Sequence, residues 1–331
     1  MRSGILVTGG TGFLGCYIIK DLVERGEKVV SYDIRPLSGE YRWLLGKKKA
    51  EIAFERGSIE DLSELILAIK KHKIEKVVHA AAIVDPPLLL DHPTLAYRVN
   101  IGGTINVLEA SRLLDVSRVV YISSNGVFTS KKYEPIDEEH PVLLPNEGPG
   151  NGPYSISKIS CEAFGMSYGD RFGFDFISLR PSAVYGFGMQ YPMYIKPMVE
   201  NSVKGIATRF ETGRDFPRDY TYVEDVCSAV CKALDTSQKK LKDRIFLIAT
   251  GKKLTTPGKI ADTVRKLIPG ADIEVGAGLT EWNKREIKYR GVIDIRRARE
   301  QLGYNPRYDI EHGIKEYIRL FRKYLEKGDV I

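Results

Sequence analysis

The chain has 331 residues, 43% of them hydrophobic and 28% charged, which is enough to bury a large core. No apolar run approaches the ~20 residues that cross a bilayer, and the N-terminus lacks the features of a secretory leader. We therefore expect a cytoplasmic globular protein with no membrane partner. The net charge of +7 is interleaved with acidic residues, which argues against a nucleic-acid partner.

Apolar runs alternate with amphipathic stretches, a pattern typical of a parallel sheet covered by helices on both faces. The predicted strands are residues 4–8, 28–33, 50–56, 76–80, 118–123 and 175–180, with an edge strand at 244–248. The predicted helices are residues 12–25, 61–71, 95–114 and 155–172. This order predicts an α/β protein with a doubly wound Rossmann sheet.

The rhythm of strands and helices breaks in the second half. Residues 141–153 are rich in proline and glycine and are predicted to form a loop. We expect residues 1–180, with about 219–250, to form the Rossmann domain. Residues 181–218 and 251–331 would then form a smaller, discontinuous substrate lobe beside the strand ends.

The four cysteines are scattered, which argues against a disulfide framework. Cys227 and Cys231 lie four residues apart, but no further ligands are near them in the sequence. We expect all four cysteines to be small buried side chains, and we predict no metal site. The remaining cysteines are Cys16 and Cys161.

A glycine-rich turn follows the first predicted strand. Gly9, Gly12 and Gly15 permit a tight turn and the close approach of a pyrophosphate to a helix N-terminus. Asp33 ends the second strand, where a carboxylate accepts hydrogen bonds from a ribose and repels a 2′-phosphate. These residues favour NAD over NADP, although Arg35 lies close by. The alternative is that Asp33 is only a strand-end turn residue.

A catalytic group is predicted from three residues. Tyr154 and Lys158 lie one helical turn apart, and Ser124 follows the strand that ends at residue 123. Lowering a phenol pKa from ~10 by ~3 units requires ~4 kcal/mol, which a cation ~4 Å away can supply. Ser124 can then hold a substrate hydroxyl while Tyr154 takes its proton and hydride leaves. The alternative is an ordinary surface pair on a helix.

These motifs resemble the extended short-chain dehydrogenase/reductases, the NAD-dependent epimerase/dehydratase group. Further similar segments are residues 57–61, 79–82, 100–104, 180–186, 218–225 and 302–306. The resemblance implies that NAD contacts these residues: Gly9, Thr11, Gly12, Phe13, Leu14, Asp33, Arg35, Ser58, Ile59, Ala80, Ala81, Ala82, Asn100, Ser123, Tyr154, Lys158, Pro181, Ala183 and Val184.

The resemblance also implies a set of substrate-binding residues: Asp85, Ser124, Asn125, Tyr154, Arg218 and Arg290. In nucleotide-sugar members the residue matching Arg218 contacts the diphosphate, although Arg218 could instead pair with a local acid such as Asp215 or Asp219. Ala183 stands where an asparagine is usual. No acidic pair follows Ser124, so 4,6-dehydration is not expected.

The most direct functional prediction is an NAD-dependent nucleotide-sugar epimerase of the UDP-hexose 4-epimerase type, acting through a keto intermediate. The alternative is an NAD-dependent dehydrogenase or reductase of a free sugar, sugar acid or other small alcohol. A catalytically silent NAD-binding protein is a third possibility, against which the intact Ser124, Tyr154 and Lys158 set argues. Specificity is assigned to residues 85–90 and 189–216.

A homodimer is also expected. The predicted helices 95–114 and 155–172 carry apolar stripes, exemplified by Ile156, Ile159, Ala163 and Phe164. Family members pair through the equivalent helices. The alternative is that the stripes only cover the protein's own sheet.

Overall fold

The computed structural model describes residues 4–142 and 152–327. Most of the predicted loop 141–153 lies outside these residues. The strands are β1 Gly4–Thr8, β2 Val29–Asp33, β3 Ala53–Arg56, β4 Ile74–His79, β5 Arg118–Ile122, β6 Asp175–Pro181, β7 Ala183–Tyr185, β8 Thr208–Phe210, β9 Tyr220–Tyr222, β10 Ile245–Ile248 and β11 Ile273–Val275.

The α-helices are α1 Phe13–Glu24, α2 Gly39–Leu45, α3 Leu62–His72, α4 Pro86–Asp91, α5 Pro93–Leu95, α6 Gly103–Leu113, α7 Pro153–Phe172, α8 Ile195–Lys204, α9 Val223–Asp235, α10 Pro257–Leu267, α11 Glu281–Ile287 and α12 Ile310–Lys327. Within the described ranges, no helix has the length and apolarity needed to span a membrane.

Seven parallel strands form the central sheet in the order β10-β6-β5-β4-β1-β2-β3. The inner strands are buried on both faces because helices cover both faces, whereas the edge strand β3 is partly exposed. One core contains Ile18 of α1 and Val226 of α9, and the other contains Leu65 of α3 and Val107 of α6. The predicted doubly wound fold is confirmed.

Two predicted elements differ from the structure. The predicted strand 50–56 begins only at Ala53, because residues Gly46–Glu51 form a 3₁₀-helix. The predicted helix 95–114 is divided into α5, a π-helical segment Ala96–Gly102 and α6. The wider π turn includes Asn100, whose side chain is buried and fully engaged. Periodicity alone does not distinguish a π segment from an α-helix.

Smaller elements stand beside the carboxyl ends of the central strands. β7 pairs with β9 and β8 with β11, both in parallel. The amphipathic helix α12 packs against α8 and β9. All four cysteines lie buried as free thiols, as expected. The described residues hold no group of three or more His, Cys, Asp or Glu side chains placed to bind a metal.

A buried ion pair fastens α7 to the sheet. Glu162 of α7 accepts hydrogen bonds from Arg180 Nε at 2.9 Å and Nη2 at 2.7 Å, and from Ser178 Oγ at 2.8 Å. Both charged side chains are almost completely shielded from water. Because water does not reach either charge, each charge needs the other to compensate for its lost hydration. The pair fixes the helix that carries Tyr154 and Lys158 against β6.

Replacing Glu162 by leucine should therefore lower the free energy of unfolding by about 3–5 kcal/mol, because Arg180 loses its buried counterion. Urea denaturation measures this loss. The matched Glu109→Leu change breaks the more exposed pair with Arg112 and should cost below about 1 kcal/mol. A double Glu162→Leu/Arg180→Met variant should recover part of the stability; no recovery would mean that the pair is not the cause.

Candidate active site

The glycine turn after β1 has the geometry of a phosphate cradle. Gly9 has a φ of +69°, and a Cβ there would lie 2.7 Å from the Ala81 nitrogen. A Cβ on Gly12 would meet only the Gly9 oxygen, at 3.2 Å. Helix α1 starts directly after Gly12 with no side-chain cap. Its first N–H groups are therefore available to an anion, and the turn fits a dinucleotide.

Asp33 lies at the mouth of the same cleft. Its Oδ2 accepts a hydrogen bond from the Thr11 nitrogen at 3.1 Å, and its Oδ1 accepts one from the Arg35 nitrogen at 3.1 Å. Thr11 Oγ1 donates to the Arg35 carbonyl at 3.1 Å. The carboxylate thus stabilises the turn and also lines the cleft. The turn role and the ribose-binding role are compatible, because a carboxylate has further lone pairs.

The cleft has a volume of about 440 Å³. It brings together most of the predicted cofactor residues: Gly9, Gly12, Phe13, Leu14, Asp33, Arg35, Ser58, Ile59, Ala80, Ala81, Ala82, Ser123, Tyr154, Lys158, Pro181 and Val184. Sequence reasoning missed further lining residues such as Ile83, Val84 and Val99, which belong to no recognisable motif and reach the cleft only through the fold. Met189, Gln190 and Tyr191 also line the cleft, and they lie in the segment 189–216 assigned to specificity.

Three predicted cofactor residues do not line the cleft. Thr11 instead stabilises the glycine turn through its hydrogen bonds to Asp33 and to the Arg35 carbonyl. Ala183 lies instead on the wall of a neighbouring pocket. The buried Asn100 exchanges hydrogen bonds with the backbone of Ile83, through Oδ1 at 2.8 Å and Nδ2 at 3.1 Å. The predicted contacts of Asn100 and Ala183 with the cofactor stay predictions.

Lys158 is the central charge of the site. Its Nζ donates to the Ile122 carbonyl at 2.8 Å and lies 5.8 Å from the centre of the Tyr154 ring. The side chain also lies over the ring of Tyr121, at 4.8 Å. Burial lowers the pKa of Lys158 to about 8. The ammonium is still mostly protonated at pH 7, and it does not point into solvent.

Tyr154 and Ser124 complete the group. Burial raises the pKa of the Tyr154 phenol, and a hydrogen bond with the Ser124 side chain opposes that rise. Ser124 Oγ also accepts from the Gly126 nitrogen at 3.0 Å, which fixes the serine at the start of a short 3₁₀-helix. In the cofactor-free protein the side chain is therefore a neutral phenol at pH 7. Positive charge beside it is required to populate the phenolate, the form that can take a proton, near neutral pH.

A buried hydrogen-bond chain connects the glycine turn with α6. Thr104 Oγ1 donates to the Asn100 carbonyl at 2.6 Å, so it can accept from His79 Nε2 at 2.9 Å. His79 Nδ1 then accepts from Thr8 Oγ1 at 2.7 Å. Burial, assisted by the charge of Lys158, lowers the pKa of His79 to about 3. The imidazole is neutral and structural, a role that the sequence did not reveal.

Asn100 extends this network to the catalytic helix. Its Nδ2 lies 3.1 Å from Ser157 Oγ, and Ser157 Oγ donates to the Tyr154 carbonyl at 2.7 Å. Because Asn100 also binds the backbone of Ile83, it joins the floor of the cleft to α7. Its position in a π-helical turn directs it to both elements. Asn100 is a positioning residue in this structure.

A second pocket opens beside the cleft. It has a volume of about 130 Å³ and shares Ser124 and Tyr154 with the cleft. Its other lining residues are Val84, Pro86, Asn125, Ser182, Ala183, Tyr191, Met193, Arg218, Trp282, Glu286 and Arg290. The predicted substrate residues Asn125, Arg218 and Arg290 thus meet at one place, although they are far apart in the sequence.

The charge partners in this pocket differ from those that the sequence suggested. Arg218 pairs with Glu286 at 2.6 Å, and not with Asp215 or Asp219. Asp219 instead accepts from Ser182 Oγ at 2.5 Å. No sequence pattern pointed to Glu286. Asp85 caps α4 by accepting from the Leu88 nitrogen at 3.2 Å and does not line the pocket, and its predicted substrate contact stays a prediction.

The chain belongs to the NAD-dependent epimerase/dehydratase family, whose model matches residues 5–249. This assignment confirms the resemblance stated for the sequence. It also confirms NAD as the cofactor, since the family is NAD-dependent and the cleft residues fit a dinucleotide.

Individual relatives support the assignment. A Methanocaldococcus jannaschii protein is 32% identical over 95% of this chain and 97% of its own length. The UDP-glucose 4-epimerase of Mycolicibacterium smegmatis is 29% identical, with coverage of 96% and 98%. The crystal structure of Thermotoga maritima UDP-glucose 4-epimerase with UDP-glucose has a TM-score of 0.83 at 26% identity. That comparison covers 97% of this chain and 99% of the other.

Asp33→Ala should raise the dissociation constant for NAD roughly tenfold or more, because hydrogen bonds from the ribose to a charged acceptor are lost. The affinity for NADP should fall less, since repulsion of its 2′-phosphate is also lost. Fluorescence titration with both cofactors measures this. Glu51→Ala makes the same charge change at an exposed site and should leave both affinities unchanged. An equal loss for the two cofactors would show that Asp33 only supports the turn.

Proposed function

We propose that this protein is an NAD-dependent nucleotide-sugar epimerase of the UDP-hexose 4-epimerase type. The observation that carries the proposal is the shared position of Ser124 and Tyr154, which line both the NAD cleft and the pocket containing Arg218 and Arg290. A sugar placed between the two cavities would contact the serine and the phenol, with its diphosphate towards the arginines. The names of the relatives agree with this substrate class.

In the proposed binding mode, Arg218 and Arg290 hold the diphosphate, for which a guanidinium fork is well suited. Ser124 Oγ orients the sugar hydroxyl and Tyr154 removes its proton. When bound, NAD supplies a reversible hydride acceptor and a positive ring. The resulting ketone rotates, and the reverse transfer to its other face, with return of the proton from Tyr154, gives the epimer.

Lys158 makes this proton transfer possible. A cation near the phenol at an effective dielectric of ~20 contributes about 4 kcal/mol at ~4 Å, enough to lower its pKa by ~3 units. In the structure the ammonium lies 5.8 Å from the centre of the Tyr154 ring. The remaining stabilisation would come from the positive nicotinamide ring.

Dehydration is not part of the proposal. The family includes both epimerases and dehydratases, so membership does not separate them. Asn125 and Gly126 follow Ser124, and neither side chain can act as the acid or base of a water elimination. The Gly126 backbone is itself engaged, since its carbonyl accepts from Ser155 Oγ at 2.6 Å.

One observation favours the alternative, an NAD-dependent dehydrogenase or reductase of a free sugar, sugar acid or small alcohol. Ala183 lines the substrate pocket and offers no hydrogen bond where the family often has an amide. The neighbouring Asn125 can supply an amide to the same pocket. The two reactions differ in net NADH production, which the assay below measures.

The test uses NAD-loaded protein with UDP-, GDP- and dTDP-sugars. We expect UDP-glucose and UDP-galactose to interconvert without net NADH. Tyr154→Phe should lower kcat about 100-fold or more, because the proton acceptor is lost, while NAD affinity is kept. Tyr168→Phe, further along the same helix, is the matched control. Stoichiometric NADH formation would establish the dehydrogenase instead, and unchanged turnover in Tyr154→Phe would remove the phenol from the mechanism.

We also propose the division into a Rossmann domain, residues 1–180 with about 219–250, and a substrate lobe, residues 181–218 and 251–331. The cleft supports this division. Pro181, Met189 and Tyr191 line it opposite the glycine turn, and Trp282 and Arg290 line the neighbouring pocket.

A homodimer is proposed on the exposed apolar side chains of the helical face formed by the π segment, α6 and α7. Ile156 and Phe164 are 44% and 42% exposed, and Tyr97 is 69% exposed. Ile159, by contrast, packs against the protein's own core. The predicted stripe therefore divides between the core and an uncovered face, which a second copy would cover.

Light scattering should give about twice the monomer mass of 37.2 kDa. Phe164→Glu should convert the protein to monomer, because a charge would be buried in the interface. Leu67→Glu, on the exposed side of α3, makes the same kind of change elsewhere and should leave the dimer intact. A wild-type protein that runs as a monomer at micromolar concentration contradicts the proposal.

A further inference from the structure

One carboxylate oxygen holds both arginines of the substrate pocket. Glu286 Oε2 lies 2.6 Å from Arg218 Nη2 and 2.7 Å from Arg290 Nη2. The other oxygen, Oε1, accepts from the Tyr289 hydroxyl at 3.0 Å. The Glu286 side chain is only 4% exposed. Without a ligand, one nitrogen of each guanidinium group that would bind an anion is therefore already engaged by a carboxylate.

The surroundings keep this arrangement ionised and rigid. Burial alone would raise the pKa of Glu286, but Arg290 and Arg218 hold it below its ordinary value. Both guanidinium groups lie over the same Phe216 ring, at 5.4 Å for Arg218 and 5.9 Å for Arg290. The cluster of two cations and one anion carries a net charge of +1, half of what the two arginines would present alone.

We propose that Glu286 is an internal competitor for the anionic part of the substrate. It keeps the two arginines together in the free protein and weakens the binding of any anion that must displace it or share its partners. The inference rests on the proposed function, in which that anion is the diphosphate of a nucleotide sugar.

Competition from Glu286 has a consequence for selectivity. A tethered carboxylate is present at high effective concentration, so a ligand with a single negative charge gains little by replacing it. A diphosphate carries two charges and can bridge both arginines with separate oxygens. Glu286 therefore selects diphosphate ligands against sugar acids that carry only a carboxylate. The same carboxylate also compensates two buried cations that would otherwise repel each other.

The test is Glu286→Gln, which keeps the size of the side chain and removes its charge. Calorimetric titration of NAD-loaded protein with UDP should show a dissociation constant about tenfold lower than in the wild type, equivalent to about 1.4 kcal/mol. The ligand-free variant should melt at a lower temperature, because the arginines lose their counterion. Glu281→Gln, on the exposed side of α11, is the matched control and should change neither quantity.

Inorganic pyrophosphate separates this inference from the proposed function. If UDP-sugars are not turned over but Glu286→Gln still lowers the dissociation constant of pyrophosphate, the proposed function fails and the competitor role stands. If UDP and pyrophosphate bind equally or more weakly to the variant while NAD affinity is retained, Glu286 only supports the arginines and the inference is overturned.

Glu286→Asp provides a second test should the glutamine variant fold poorly. Its carboxylate is one methylene shorter and keeps its charge, so it reaches the two guanidinium groups less well. The aspartate variant should bind UDP with a dissociation constant about threefold lower than that of the wild type. The dissociation constant of pyrophosphate should also fall. Weaker binding of both probes to the aspartate variant would also overturn the proposal.

Discussion

The site depends on one buried ammonium group. Lys158 donates to the carbonyl at the end of β5 and lies beside the Tyr154 ring, so its charge sits where a phenolate would form. Burial lowers its pKa to about 8, and it still carries a proton at neutral pH. Burial raises the pKa of the Tyr154 phenol itself, so the phenol is protonated at neutral pH in the cofactor-free protein.

The buried Glu162–Arg180 ion pair and a network of uncharged hydrogen bonds together hold helix α7 in place. The chain from Thr8 through His79 to Thr104 connects the glycine turn with α6, and Asn100 connects the π segment before α6 with α7. A protonated His79 would place a second positive charge near the Lys158 ammonium, and the two charges would repel each other. The neutral imidazole avoids this repulsion, and its two nitrogens serve as one donor and one acceptor.

The pocket beside the cleft is organised by charge. Arg218 comes from the segment before β9, whereas Glu286 lies on α11 and Arg290 follows it, so the cluster joins parts of the chain that are distant in the sequence. With Glu286 as resident counterion, the two arginines remain paired before any ligand binds.

The sequence by itself determined the fold class, the glycine turn, Asp33, and the trio of Ser124, Tyr154 and Lys158. These features rest on local spacing: glycines at a turn, a carboxylate at a strand end, two side chains one helical turn apart. Such spacing has the same geometric meaning in any chain that adopts these elements.

Only the tertiary structure decided the contacts between distant segments. It placed Asn100 behind the cleft and Ala183 in the substrate pocket, and it paired Arg218 with Glu286 instead of a sequence neighbour. It also divided one predicted helix at a π segment, which hydrophobic periodicity does not reveal. The physical reason is the same in each case: a buried polar group takes the partner that the packing of the whole chain brings near, and local sequence carries no record of that partner.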